Sequence, residues 1–218
     1  MNELRRVKNP EETRRRILEA TIRLLLRQGF NATTVDQICE EARVTKGSFF
    51  HHFQNKDAVG VAAVRAWGAF GGALYANAWR DPSGPIEEIH RLIDIMVGFT
   101  EREEPCVCVV GMMSQEMSRE SEAFREACAS ELDTWTEMMR TRLAKAKEEV
   151  PAARDFDPKE VAWFLNSLWQ GSMLVAKARQ DPELIRANLR LARQYIDSLF
   201  APATQMRRGS SLPPLLLA

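Results

Sequence analysis

The residues with the clearest chemistry lie between positions 31 and 56, in the segment NATTVDQICEEARVTKGSFFHHFQNK. Lys46 and the backbone amides at a helix N-terminus can bind phosphate groups. Ser48 and His51 can hydrogen-bond to base edges, and Phe49 can contact the methyl group of thymine. Phosphate contacts fix a protein's position on a duplex, and base contacts distinguish one sequence from another. This combination indicates that the segment binds DNA.

Two short helices must position these side chains. Thr34 and Gln37 have the spacing of a capping box, and apolar residues recur at i, i+3, i+4 and i+7 from Val35. After a short turn, Thr45 can cap a second helix over residues 46–52, which has too few aliphatic residues for a core helix. The arrangement predicts a helix-turn-helix whose second helix enters the major groove. The alternative is a surface helical hairpin whose aromatic residues belong to the core.

The rest of the chain supports these two helices with a helical framework. Apolar residues recur at intervals of three and four in almost every segment, and no run alternates with the period of two that strands require. The expected helices cover residues 11–28, 34–42, 46–52, 56–80, 85–101, 105–117, 120–149, 158–180 and 182–200. The sequence therefore predicts an all-α fold.

A wider set of residues has the order, spacing and turn chemistry of a known DNA-binding domain. The set is Ile17-Leu-Glu-Ala20, Gly29-Phe30, Thr34-Val-Asp-Gln-Ile38, Ala42, Val44-Thr-Lys-Gly-Ser48, His52-Phe53 and Asn55-Lys56. It resembles the DNA-binding domain of the tetracycline-repressor (TetR) family. The resemblance implies an N-terminal three-helix helix-turn-helix domain at residues 1–55 and a C-terminal helical ligand-binding and dimerisation domain at residues 56–200. We expect residues 201–218 to form a flexible tail.

The resemblance also implies which residues contact DNA bases or phosphates. They are Thr33, Thr34, Thr45, Lys46, Ser48, Phe49, His51, His52 and Lys56. Two residues depart from the family pattern. Arg43 stands where the turn often has glycine, so a left-handed backbone there would cost about 1 to 2 kcal/mol. Phe50 stands where tyrosine is frequent, which removes a hydroxyl that often reaches a phosphate, and we expect Phe50 and Phe53 to lie in the core.

Composition and charge exclude several protein classes. The chain has 218 residues, 45% of them hydrophobic, with 30 basic and 30 acidic side chains, which is typical of a folded globular protein. Four cysteines do not indicate a disulfide scaffold, and no run of about 18 uncharged apolar residues predicts a membrane helix. We therefore expect a cytoplasmic protein. Residues 1–60 have a net charge of +3 and the remainder −3, which agrees with a nucleic-acid partner for the N-terminal part.

The C-terminal region contains tryptophan, methionine and cysteine residues that can line an apolar pocket for a small-molecule effector. The candidate ligand-binding residues are Trp67, Cys106, Cys108, Met112, Met113, Trp135, Met138, Trp169 and Met173. Cys108-Val-Val-Gly111 also resembles part of the Gly-Cys-Leu-Leu-Gly segment of one TetR branch, which implies a thiol that responds to electrophiles or oxidants. The alternative is that these residues are ordinary core, with Cys108 as a small buried hydrophobe.

No catalytic or metal-binding constellation stands out. Cys106 and Cys108 lack the C-x-x-C spacing, and Glu87-x-x-His90 has no second copy to complete a di-iron site. Residues 158–200 are apolar around more than one helix face, which favours a homodimer interface. We predict a DNA-binding repressor, without metal or cofactor, that binds a palindromic operator as a dimer and is released by a ligand or by thiol chemistry. The alternative is a helical small-molecule carrier or enzyme with no role in DNA binding.

Overall fold

The computed structural model describes residues 9–78, 84–101, 106–150 and 153–201, so the predicted tail, apart from residue 201, lies outside the described residues. These described residues form nine α-helices and no strand. The helices are α1 (Pro10–Gln28), α2 (Val35–Ala42), α3 (Lys46–His52), α4 (Lys56–Ala78), α5 (Pro85–Phe99), α6 (Val109–Met117), α7 (Glu122–Glu149), α8 (Pro158–Arg179) and α9 (Glu183–Phe200). The predicted all-α fold is confirmed.

Several helices begin where the sequence predicts a cap. At α2 the capping box is complete, because the Gln37 N–H donates to Thr34 Oγ1 at 3.2 Å and the Thr34 N–H donates to Gln37 Oε1 at 2.9 Å. At α8, Asp157 accepts a hydrogen bond of 2.7 Å from the Lys159 N–H. Helix α6 begins later than the predicted residue 105, because the backbone of its N-cap residue is still extended.

The helices bury their apolar faces in two hydrophobic cores. The first joins α1, α2, α3 and the N-terminal half of α4 to α6 and the start of α7, and Ile17, Phe49 and Phe124 are fully buried in it. The second joins the end of α4 to α5, α7, α8 and α9. Helices α4 and α7 contribute to both cores. Because packed interiors transmit strain, a displacement of α4 or α7 reaches the N-terminal helices.

Helix α4 is long and apolar. By length and composition alone, its segment Lys56–Ala76 is long enough and apolar enough to cross a membrane. In the structure, however, α4 packs against α1, α5, α6 and α7. Core helices of other proteins have the same length and composition, and 28% of this segment is buried in the structure.

Candidate functional site

The turn between α2 and α3 is held by a left-handed residue and by an arginine of α1. Arg43 ends α2 at φ 53° and ψ 52°, the left-handed conformation that costs a non-glycine residue about 1 to 2 kcal/mol. Arg16 donates hydrogen bonds to the carbonyl oxygens of Ala42 and Arg43, the second at 2.8 Å. Because hydrogen bonds from a charged donor are the strong ones, they offset part of this cost. The turn therefore forms without glycine.

Helix α3 turns one face to solvent and packs the other against the first core. Thr45 caps the helix by accepting a hydrogen bond of 3.1 Å from the Ser48 N–H. Lys46, Phe50 and His51 are exposed, and the Ser48 side chain is half-buried. The exposed face thus combines a cation, an aromatic ring and hydrogen-bonding groups, which together can contact phosphates and base edges.

The two adjacent phenylalanines of α3 have the opposite environments to those predicted. Phe49, which we expected to contact thymine, is 0% exposed, whereas Phe50, which we expected in the core, is 52% exposed. Phe53 is buried as predicted, with its ring centroid 5.9 Å from that of Phe49. Successive residues of a helix point about 100° apart, so Phe49 can face the core while Phe50 faces solvent. Phe50 therefore replaces Phe49 as the candidate for contacting DNA.

Thr33 is a second correction to the predicted DNA-contacting set. Its side chain is 1% exposed, and its hydroxyl donates a hydrogen bond of 2.6 Å to the carbonyl oxygen of Gly29. It therefore stabilises the loop between α1 and α2 and does not face solvent. Thr34, the next residue, is exposed at the N-terminus of α2.

The basic residues around α3 differ in their surroundings. Lys46 forms an ion pair of 2.7 Å with Asp36, and both side chains are mostly exposed. Such surface pairs contribute about 1 kcal/mol or less, so a DNA phosphate can replace Asp36. The Lys56 ammonium lies 4.3 Å from the centroid of the Phe30 ring, a cation–π contact at the start of α4. Burial lowers the pKa of His52, which favours the neutral imidazole.

A cavity of about 160 Å³ lies between α4, α7, α8 and the segment before α6. Its wall contains six aromatic side chains: Trp67, Phe70, Tyr75, Phe99, Trp135 and Trp169. Burial raises the pKa of Tyr75 to about 12, so its hydroxyl stays protonated at neutral pH. The indole N–H of Trp135 is buried near the Tyr75 hydroxyl, and it makes no hydrogen bond of ordinary geometry to the residues that the structure describes. The Tyr75 hydroxyl or a ligand atom can accept this hydrogen bond.

Most of the residues predicted to bind an effector line this cavity. Those that line it are Trp67, Cys106, Cys108, Trp135, Met138, Trp169 and Met173. Met112 instead lines an adjoining cavity of about 490 Å³ between α1, α6 and α8. Met113 is fully buried in the first core, so its assignment to the ligand site is wrong.

Five polar residues of the same cavity were missed from the sequence. They are Tyr75, Glu131, Thr134, Asn166 and Gln170. Helical spacing is the signal that connects them with predicted residues: Glu131 lies one turn before Trp135 on α7, and Gln170 follows Trp169 on α8. Asn166 donates a hydrogen bond of 2.8 Å to the hydroxyl of Thr136, which fixes α8 against α7.

Among the thiols, Cys108 is the one best placed to meet a compound in either cavity. It is half-buried, it lines both cavities, and its sulfur accepts a hydrogen bond of 3.7 Å from Gln170 Nε2. Cys39 and Cys128 are buried, and burial raises the pKa of each of these two thiols. Within the described residues, no group of three or more histidine, cysteine, aspartate or glutamate side chains is arranged to hold a metal ion.

Glu116 of α6 binds the loop between α1 and α2. Its carboxylate accepts hydrogen bonds from the backbone N–H groups of Phe30 at 2.9 Å and Asn31 at 2.6 Å. Gly29 begins this loop at φ 82°, and a Cβ atom there would lie 3.1 Å from Glu116 Oε2. The rings of Phe30 and Phe124 pack edge to face, with centroids 4.8 Å apart. These contacts connect α6 and α7 to the loop that precedes the helix-turn-helix.

Helices α8 and α9 share an exposed apolar surface. It consists of Trp163, Phe164, Leu174, Val175, Leu191 and Tyr195. The rings of Phe164 and Tyr195 pack edge to face at 5.3 Å, so the two helices form this surface together. Trp169 and Ile196, on the same helices, are buried inside the chain. An exposed apolar patch of this kind marks a site of protein association.

Comparison with known proteins identifies the family. Residues 17–63 match the model of bacterial regulatory proteins of the tetR family, and residues 85–192 match the tetracyclin repressor-like C-terminal domain. The transcriptional regulator AcuR of Cereibacter sphaeroides is 31% identical over 170 residues, which are 77% of this chain and 77% of AcuR. The chain belongs to the TetR family. A crystal structure of the regulatory protein TetR from Rhodobacter sphaeroides has a TM-score of 0.76 and 27% identity, covering 84% of this chain and 98% of that one.

This TetR-family chain is therefore a DNA-binding transcriptional regulator and not an enzyme, so the alternative of a carrier or enzyme is wrong. The repressor NemR of Escherichia coli is a further relative, 26% identical over 79% of this chain and 87% of NemR. Regulators of the family bind DNA operators and act as dimers with small-molecule effectors. The helix-turn-helix of α2 and α3 lies within the segment that matches the DNA-binding model of the family.

Proposed function

We propose that this regulator is a cytoplasmic repressor that binds a near-palindromic operator as a homodimer, with α3 of each subunit in the major groove. The observation that supports it is the exposed face of α3 that contains Lys46, Phe50 and His51. The proposed DNA-contacting residues are Thr34, Thr45, Lys46, Ser48, Phe50, His51, His52 and Lys56. In such dimers the two half-sites are centred about one helical turn, ~34 to 36 Å, apart.

Fluorescence anisotropy with labelled genomic fragments and random duplexes tests this proposal. We expect one or more fragments to bind more tightly than random DNA, with an affinity that falls steeply as salt is added. Lys46→Ala should weaken binding to every sequence and reduce the salt slope by about 1, because it removes a phosphate contact. Ser48→Ala should instead reduce the preference for the operator. Equal affinity for all fragments and for random DNA would contradict the proposal.

The exposed apolar surface of α8 and α9 is the proposed dimer interface. Two such helices from each subunit can pair around a two-fold axis as a four-helix arrangement. Leu191→Glu places a charge at the most exposed apolar residue of this surface, 61% exposed, and should yield monomers in light scattering. Ser130→Glu, at an exposed position of α7, is the matched control. A dimer mass that survives Leu191→Glu combined with Phe164→Glu would place the interface elsewhere.

The aromatic cavity is the proposed effector site. Helix α4 lines it and also enters the first core, and α6 follows directly on the cavity-lining Cys108. A ligand that favours a different position of α4 or α6 would change the spacing of the two α3 helices in the dimer. A coupling of about 1 to 3 kcal/mol between effector and DNA corresponds to ~5- to 150-fold weaker operator binding.

A thiol response is a second candidate, favoured by the position of Cys108 on the wall of both cavities. In the proposed step, the Cys108 thiolate forms a carbon–sulfur bond to the β-carbon of an unsaturated carbonyl compound, and the α-carbon takes up a proton from water. Such a compound should release operator DNA from the wild type and not from Cys108→Ser. Equal release from both proteins would exclude this role.

A further inference from the structure

The charge of the aromatic cavity is unbalanced. Among the described residues that line it there is one carboxylate, Glu131, and no lysine, arginine or histidine. The other polar side chains of the wall, among them Tyr75, Asn166 and Gln170, are neutral amides, hydroxyls and thiols. The cavity is therefore an apolar site with a single negative group.

The position of Glu131 makes this charge costly. Its carboxylate lies over Gly68 of α4, where a Cβ atom would be 1.9 Å from Glu131 Oε2, so a larger residue at position 68 would displace the carboxylate. Burial raises the pKa of Glu131, and this effect exceeds the opposing influence of Arg65, which is exposed on α4. Glu131 is half-buried, and a partly buried carboxylate is stabilised by a cation that lies beside it.

We propose that the effector of this regulator is a small organic cation with an apolar or aromatic body. Six aromatic side chains and one carboxylate attract such a ligand, because aromatic rings bind cations through their π faces and the carboxylate supplies the opposite charge. The size of the cavity sets the size of the ligand: about 160 Å³ is close to the ~150 Å³ of an engineered cavity that holds benzene. The ligand therefore has about one ring and a compact ammonium group.

This inference rests on the proposed function, since it names the class of effector for the same cavity. Phenyltrimethylammonium and its uncharged isostere tert-butylbenzene are the probes, because they have the same shape and differ in charge. Three tryptophans line the cavity, so quenching of intrinsic fluorescence reports binding without DNA. The quantity to measure is the ratio of the two dissociation constants, uncharged over cationic.

We expect the cation to bind more tightly than the isostere in the wild type. Glu131→Gln, which keeps the shape and removes the charge, should reduce the ratio at least tenfold. Glu131→Asp should retain a preference for the cation, because it keeps the negative charge. This variant keeps the proposal testable if Glu131→Gln fails to fold. Glu126→Gln, at an exposed position of the same helix, should leave the ratio unchanged.

Two results would overturn the inference: a ratio that is the same in the wild type and in Glu131→Gln, or no saturable quenching by phenyltrimethylammonium up to its solubility limit. The proposed function fails by a different result. If the cation binds selectively but the protein has no preference for any DNA fragment, the cation site stands and the operator proposal is contradicted. If operator binding is found and the ratio is insensitive to Glu131, the repressor stands without a cationic effector.

Discussion

Separate alanine substitutions of Phe49 and Phe50 should distinguish folding from DNA binding, although the two residues are neighbours. Phe49 is 0% exposed, and truncation of a buried phenylalanine costs about 3 to 5 kcal/mol of unfolding free energy. Phe50 is 52% exposed, so Phe50→Ala should change stability by less than about 1 kcal/mol. Full burial of a phenylalanine side chain contributes ~1.5 to 3 kcal/mol. If DNA covers the exposed half of the Phe50 ring, removal of the ring should cost about half of this amount in binding free energy. Phe50→Ala should then weaken operator binding by about 4- to 13-fold.

Urea denaturation followed by circular dichroism measures the first effect, and fluorescence anisotropy with operator DNA measures the second. The Phe50→Ala variant should keep the salt slope of the wild type, because a phenyl ring makes no phosphate contact, whereas Lys46→Ala should reduce it. Comparison of these two variants thus separates apolar contact from charge. Wild-type affinity in Phe50→Ala, or a wild-type denaturation midpoint in Phe49→Ala, would refute the assignment of the two faces of α3.

Four further substitutions test other parts of the structure. Gly60→Ala would place a Cβ atom 2.5 Å from the ring of Phe124 and should lower the denaturation midpoint. At Gly72 a Cβ atom would have no atom within 4 Å, so Gly72→Ala should raise the free energy of unfolding by up to about 1 kcal/mol. Arg43→Gly should raise the melting temperature, because it relieves a left-handed residue, and an unchanged or lower value would show that the turn is not strained. Glu116→Ala removes two backbone hydrogen bonds to the loop after α1 and should reduce effector-induced release of operator DNA; release equal to the wild type would exclude α6 as the connection.

The helix-turn-helix was predictable because its determinants are local. The capping box of α2, the Thr45 cap of α3 and the left-handed Arg43 follow from residues only a few positions apart. The environments of Phe49 and Phe50 were not predictable in this way. Both are aromatic, and the face that becomes buried is set by α1 and α4, which pack on the helices from a distance in sequence.

The cavity was predicted only in part for the same physical reason. Its tryptophans and methionines are apolar and were natural candidates for a pocket. Glu131 has the appearance of an ordinary solvated residue in the sequence of α7, and it becomes part of the cavity because Gly68 of α4 allows a close approach. Met113 shows the converse, since its side chain fills the first core and not the cavity. Contacts between helices, not helical periodicity, decide which side a residue faces.

Directed DNA cleavage from α3 tests the central claim most directly. An iron chelate attached through His51→Cys, on the exposed face of α3, should cleave operator DNA in two patches whose centres lie about one helical turn apart, because each subunit places one α3 in the major groove. The same chelate at Ser130→Cys of α7, with unmodified wild type as the background, should not produce these patches. Uniform cleavage along every fragment, or patches that appear equally from Ser130→Cys, would contradict the assignment of α3 as the helix that recognises DNA.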